Sequence, residues 1–129
     1  MSKTVQATKF ICLGVLLGLG LASAQFSALD PVRVAPHIYD NILENERLRV
    51  LKVTERNGET APLHSHPERL VVHLSPCAWM EISGDGARQM QSFKLGDVSW
   101  ESPITHGGET SKVVQDCSRL EIEIKQATN

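Results

Sequence analysis

The chain has 129 residues, with 13 lysines and arginines against 15 aspartates and glutamates and a formal net charge of −2. That length holds one domain with a modest core and no more. No basic stripe runs along it, so nucleic acid is excluded as the expected partner.

Lys3 and Lys9 precede an uncharged apolar block, Phe10 to Leu21, that ends at Ala22-Ser23-Ala24. A basic start, a short apolar middle and a small-residue cleavage site make residues 1–24 a predicted signal peptide. The block falls short of the ~20 residues that a transmembrane helix needs, so no stable membrane insertion is expected after cleavage. A retained N-terminal anchor is the competing reading. Cys12 lies inside the block and is assigned to the discarded peptide. Cleavage after Ala24 takes two of the 13 basic residues and none of the 15 acidic ones, leaving a mature charge of −4. The product would be exported, to the periplasm or outside the cell. Cys77 and Cys117 remain, an even pair that suggests a disulfide in an oxidising compartment; two separate thiols are the alternative.

Residues 25–46 are mixed in character and broken by Pro31 and Pro36. They read as a lead-in with one short strand or turn, and His37 within it as a surface residue. From residue 47 the pattern is extended. Leu48 to Val53 and Leu70 to Leu74 are strand-like, and Leu120-Glu-Ile-Glu-Ile124 alternates apolar and charged residues with period two. Turn signals separate the runs at Asn57-Gly58, Ser75-Pro76, Gly84-Asp85-Gly86, Gly96-Asp97, Ser102-Pro103 and Gly107-Gly108. No sustained helical period occurs beyond residue 47. Short strands and tight turns predict an all-β sandwich or barrel over residues 47–125. Trp79, Met80, Phe93 and Trp100 are expected to fill its interior, with a substrate cage as the alternative.

His64 and His66 stand two apart, the spacing that puts two strand residues on one face. Two imidazoles so placed can chelate one metal ion, although neighbouring surface histidines are common without one.

The wider frame is Gly58, five residues, then His64-Ser-His66, followed downstream by Gly96, Ser102-Pro103 and His106. It resembles the two motifs of the cupin superfamily: glycine, five residues, His-x-His, three or four residues, glutamate, six residues, glycine; then glycine, five residues, proline, any residue, glycine, two residues, histidine, three residues, asparagine. The resemblance covers roughly Arg47 to Lys125, and through His66 every spacing matches. Beyond that the chain departs from the pattern. Leu70 and Val71 stand where the glutamate belongs, Glu68 comes too early, and Cys77 replaces the glycine that closes the first motif. In the second motif the span from Gly96 to His106 is one residue short, the proline is displaced to Pro103, the inner glycine is missing, and Thr110 takes the asparagine position.

The resemblance implies a cupin-type jelly-roll β-barrel. In it, the strand ending near His66 would lie antiparallel to one beginning near His106, bringing the three rings to one barrel mouth. It implies a three-histidine site for one divalent transition metal ion: iron, zinc, copper, nickel or manganese. Glu68 and His73 are candidates for an additional ligand, although strand parity from Leu70 turns His73 to the opposite face, partly exposed. The implied activity is metal-dependent, dioxygenase-like or of the isomerase or lyase kind, on a small anionic metabolite. The alternative is a non-catalytic cupin, either a metal or small-ligand binding module or a decayed site. No nucleophile with an adjacent base is visible, and Glu68 and Glu109 are the only candidate bases. Family topology also ends the strand after the first motif at Cys77 and starts the last strand, its antiparallel neighbour, at Cys117, both opposite the histidines. A disulfide between them would fit there. Cupins often form homodimers.

Overall fold

The turn signals become the joints of an antiparallel β structure in the computed structural model, which describes residues 28–126. The predicted signal peptide lies outside the described residues, among which no helix is long and apolar enough to cross a membrane. A one-turn helix α1 (Pro31–Val34) leads into β1 (Tyr39–Glu44), β2 (Leu48–Glu55), β3 (His64–His66), β4 (Arg69–His73), β5 (Cys77–Ile82) and β6 (Arg88–Phe93). Then come β7 (Val98–Glu101), β8 (Ile104–His106), a 3-10 turn at Gly108–Thr110, β9 (Ser111–Gln115) and β10 (Cys117–Ile124). Three sheets form, in the orders β1-β2-β10-β4-β7, β6-β5-β9 and β3-β8.

The lead-in is part of this body. Asp30 caps α1 by accepting from the Val32 N–H at 2.9 Å, and Pro31 sits at the first helical position, where its missing N–H is no loss. Ala35, Ile38 and Tyr39 then join Leu51, Val53 and Ala61 in the buried apolar cluster. β1 adds an edge strand to the large sheet by pairing with β2.

The charged side of the last strand faces inward. The ordinary rule for a half-buried strand turns its apolar residues to the core, yet Glu121 and Glu123 are only 1% and 2% exposed, while Leu120, Ile122 and Ile124 are half-buried on the outer face. Neighbouring strands agree: Arg69, Val71 and His73 of β4 are buried on the same inner side. In register across the outside lie Leu43, Val50, Ile122, Leu70 and Trp100, one from each strand.

Three expectations are corrected here. Trp100 is 57% exposed rather than packed inside, and its indole N–H donates to Glu68 Oε1 at 2.9 Å. Met80 alternates to the face of β5 opposite Trp79 and pairs across to Met90, so only Trp79 and Phe93 of the four point into the interior. His73 is 2% exposed rather than partly open, because the inverted sheet carries its strand parity to the inside; it stacks on Phe93 at 4.4 Å.

Cys77 and Cys117 form a disulfide. Cys77 opens β5 instead of ending the strand before it, and β5 is not a neighbour of β10. The bridge therefore joins the three-stranded sheet to the five-stranded one.

Candidate metal centre

β3 and β8 pair antiparallel with His64 opposite His106. His66 shares the face of His64, so the three rings converge, with centroids 4.8 Å (64 to 66), 4.4 Å (64 to 106) and 5.4 Å (66 to 106) apart. Each offers one nitrogen, and these atoms lie within 4.8 Å of one another, a group that could hold a metal ion. His106 closes β8 instead of opening a strand, so it is the cross-strand pairing that brings it to the other two.

The backbone around β8 is shaped for this approach. Gly107 has φ 102°, and a Cβ there would meet the Pro62 carbonyl oxygen at 2.5 Å and His64 Nδ1 at 3.1 Å. Only glycine accepts both the conformation and the contact. Next to it, the Gly108 N–H donates to the Ala61 carbonyl at 2.7 Å, tying the end of β8 to the approach of β3.

Hydrogen bonds fix the ring tautomers. His64 Nδ1 lies 2.6 Å from the Pro62 carbonyl oxygen, which can only accept, so Nδ1 carries the proton and Nε2 a lone pair. His66 Nδ1 lies 2.9 Å from Glu123 Oε1 and 3.3 Å from Glu121 Oε2, so it too donates. His66 Nε2 and His106 Nε2 are buried with no hydrogen-bond partner. Leaving a buried polar nitrogen unpaired is costly, and an ion bound there would give both a partner. A histidine whose second nitrogen donates to a carboxylate is also the usual arrangement behind a metal ligand, raising its basicity and holding its orientation.

The carboxylates on His66 belong to a larger network. Glu123 accepts from Arg49 Nε at 2.7 Å, and Arg49 pairs with Asp30 at 2.6 Å. Glu121 accepts from Arg119 Nε at 2.8 Å and makes an ion-pair contact with Arg69 Nε at 3.1 Å. Arg119 also pairs with Glu55, lies 4.9 Å above the Trp79 ring, and leaves Glu55 to accept from the Trp79 indole at 3.1 Å. Among the described ion pairs, Asp30, Glu55, Glu121 and Glu123 meet the guanidiniums of Arg49, Arg69 and Arg119.

Protonation follows these surroundings. Burial, reinforced by repulsion from His64 and His66, brings His106 down to about 3, and burial likewise lowers His64. Burial alone would raise Glu121, but His66, Arg119 and Arg69 outweigh it and hold the carboxyl well below its usual range. Burial thus disfavours the charged forms of His64 and His106, and metal binding requires neutral imidazoles. A cavity of about 290 Å³ opens here, lined by His64, His106, Tyr39, Arg69, Trp79 and Phe93 among others.

The other candidates lie elsewhere. Glu68 is exposed and engaged with Trp100. His73 lies close to Cys77 and Cys117, and neither it nor Glu68 belongs to the three-histidine group. Glu109 is exposed on the 3-10 turn. His37 is exposed, 3.3 Å from Glu59. Sequence reasoning missed Glu121, Glu123 and Tyr39. The alternation of β10 showed that the two glutamates share a face but not that the face is internal. Tyr39, the only tyrosine of the chain, lay in a segment without motif.

No protein-family model and no curated protein matches the chain. Solved structures do match its fold. A cupin domain from Bordetella pertussis superimposes with a TM-score of 0.53 at 20% identity, covering 69% of this chain and 93% of that one. A conserved protein of unknown function from Streptococcus pyogenes gives 0.50 at 17% identity, covering 70% and 75%. A cupin superfamily protein from Desulfitobacterium hafniense gives 0.49 at 11% identity, covering 69% and 77%.

Proposed function

We propose that this chain, whose fold is that of the cupins, binds one divalent transition metal ion through His64, His66 and His106 and uses it on a small molecule in the adjoining cavity. The observation that carries this reading is the pair of buried, unpartnered nitrogens, His66 Nε2 and His106 Nε2, in a group backed by buried carboxylates. Imidazole donors suit iron, zinc, copper or nickel better than magnesium or calcium. Such an ion, when bound, would supply Lewis acidity and open coordination positions. The residues of the chain supply the rest: Glu123 and the Pro62 carbonyl hold two rings in the ligating tautomer, and the cavity walls restrict the guest to small size.

An anionic guest would find its complementary charge at the ion itself. Arg69 and Arg119 both line the cavity, but both are engaged by glutamates. The same pairing favours a second reading, a non-catalytic metal or ligand binding module, because a Glu121 held well below its usual range is a poor proton acceptor. The disulfide supports export to the periplasm or beyond, since such bonds persist in oxidising compartments.

Elemental analysis of untagged protein beside a His64→Ala/His106→Ala variant tests the site. Near-stoichiometric metal in the parent alone is expected, with circular dichroism showing that the variant folds. Equal metal in both would remove the proposal. Turnover or oxygen uptake with a panel of small carboxylic acids then separates the enzyme from the binding module.

A further inference from the structure

We propose that Tyr39 is the fourth protein ligand of this centre, binding through its phenol oxygen. The inference rests on the three-histidine reading and adds a donor that no motif marks.

Tyr39 opens β1 and is only 1% exposed. Its ring centroid lies 5.1 Å from that of His64 and 5.6 Å from that of His66. Its hydroxyl is 2.9 Å from His64 Nε2, the nitrogen left with a lone pair once Nδ1 donates to Pro62. The phenol therefore donates to the very atom that would bind metal. Among the described residues this is its only hydrogen bond.

With His64 Nε2 ligating a metal ion, its lone pair would no longer accept this bond and the buried hydroxyl would lose its partner. Among the described residues no other group accepts from it, and a buried hydroxyl left unpaired is costly. Ligation would meet that need: Tyr39 would give its hydroxyl proton through the cavity to solvent and offer the phenolate oxygen as a donor. Spacing supports this. Two donors each about 2.1 Å from one ion and at right angles to each other lie about 3.0 Å apart, so the observed separation already matches that of adjacent ligands. Phenolate oxygen is a recognised donor to iron, and its charge would supply the anionic ligand that three imidazoles lack.

Because Tyr39 is the only tyrosine, the test needs no variant to assign its signal. The full-length protein is loaded with copper(II), or with iron(III), and its visible absorption and resonance Raman spectra are recorded. The expected result is a phenolate-to-metal charge-transfer band whose excitation enhances tyrosinate ring modes. Tyr39→Phe should lose the band, keep up to one ion per chain, and bind it about 10-fold or more weakly. Stoichiometric metal in the parent without the band, or a band that survives in Tyr39→Phe, overturns the proposal and leaves the three-histidine site standing. Failure of the parent to bind either ion overturns both.

Discussion

His106 shows how one side chain can set the acid limit of a protein. In the fold it titrates at about 3 against an ordinary 6.5, so between those values the unfolded chain takes up a proton that the folded chain refuses. Its contribution to stability is complete above about 6.5 and is lost as the pH falls toward 3. Glu121, held below its ordinary 4.5, adds a loss of the same sign at the lower end. The metal-free protein should therefore lose on the order of 1–3 kcal/mol through the upper part of this window, read as falling urea midpoints. His106→Asn should flatten that part of the profile; an unchanged profile would show that His106 is solvated. The three histidines themselves were legible, since a glycine, an His-x-His pair and a distant third histidine survive as a pattern in the chain. Tyr39 was not, because a lone aromatic in a proline-broken segment carries no periodicity, and its value arises only from where β1 docks.

At the scale of the element, β10 decides the interior. Its alternation was plain in Leu120-Glu-Ile-Glu-Ile124, but period two marks two faces without saying which is buried. The answer lies in non-local partners, Arg49 of β2 and Arg69 of β4, which supply the cations that let Glu123 and Glu121 stay inside. Removing one member of such a buried set strands the others. Glu121→Leu, although more apolar, should destabilise by about 3–5 kcal/mol, while Ile122→Thr on the outer face should cost about 1 kcal/mol or less. Chemical denaturation of the two variants checks this, and the reverse order would mean that the strand faces the other way in solution.

At the scale of the whole molecule, the all-β class was readable from strand runs and turn residues, because these are local signals. The grouping into three sheets and the place of the lead-in were not, since Ala35, Ile38 and Tyr39 become core only by meeting β2. The disulfide closes a separation of 40 residues, which in the chain-entropy picture stabilises by about 4 kcal/mol. A Cys77→Ser/Cys117→Ser variant should lose on the order of 2–4 kcal/mol, read as a lower melting temperature. An unchanged melting temperature would mean that the sheets hold together unaided.

The inward residues of β10 run Cys117, Arg119, Glu121, Glu123, from the disulfide to the carboxylates on His66. One strand is thus a tie-rod, anchored to the opposite sheet at one end and steadying an imidazole at the other. Slackening the anchor in reducing surroundings would loosen the hold on the His66 ring, so closure of the cysteines should precede any filling of the three-histidine group.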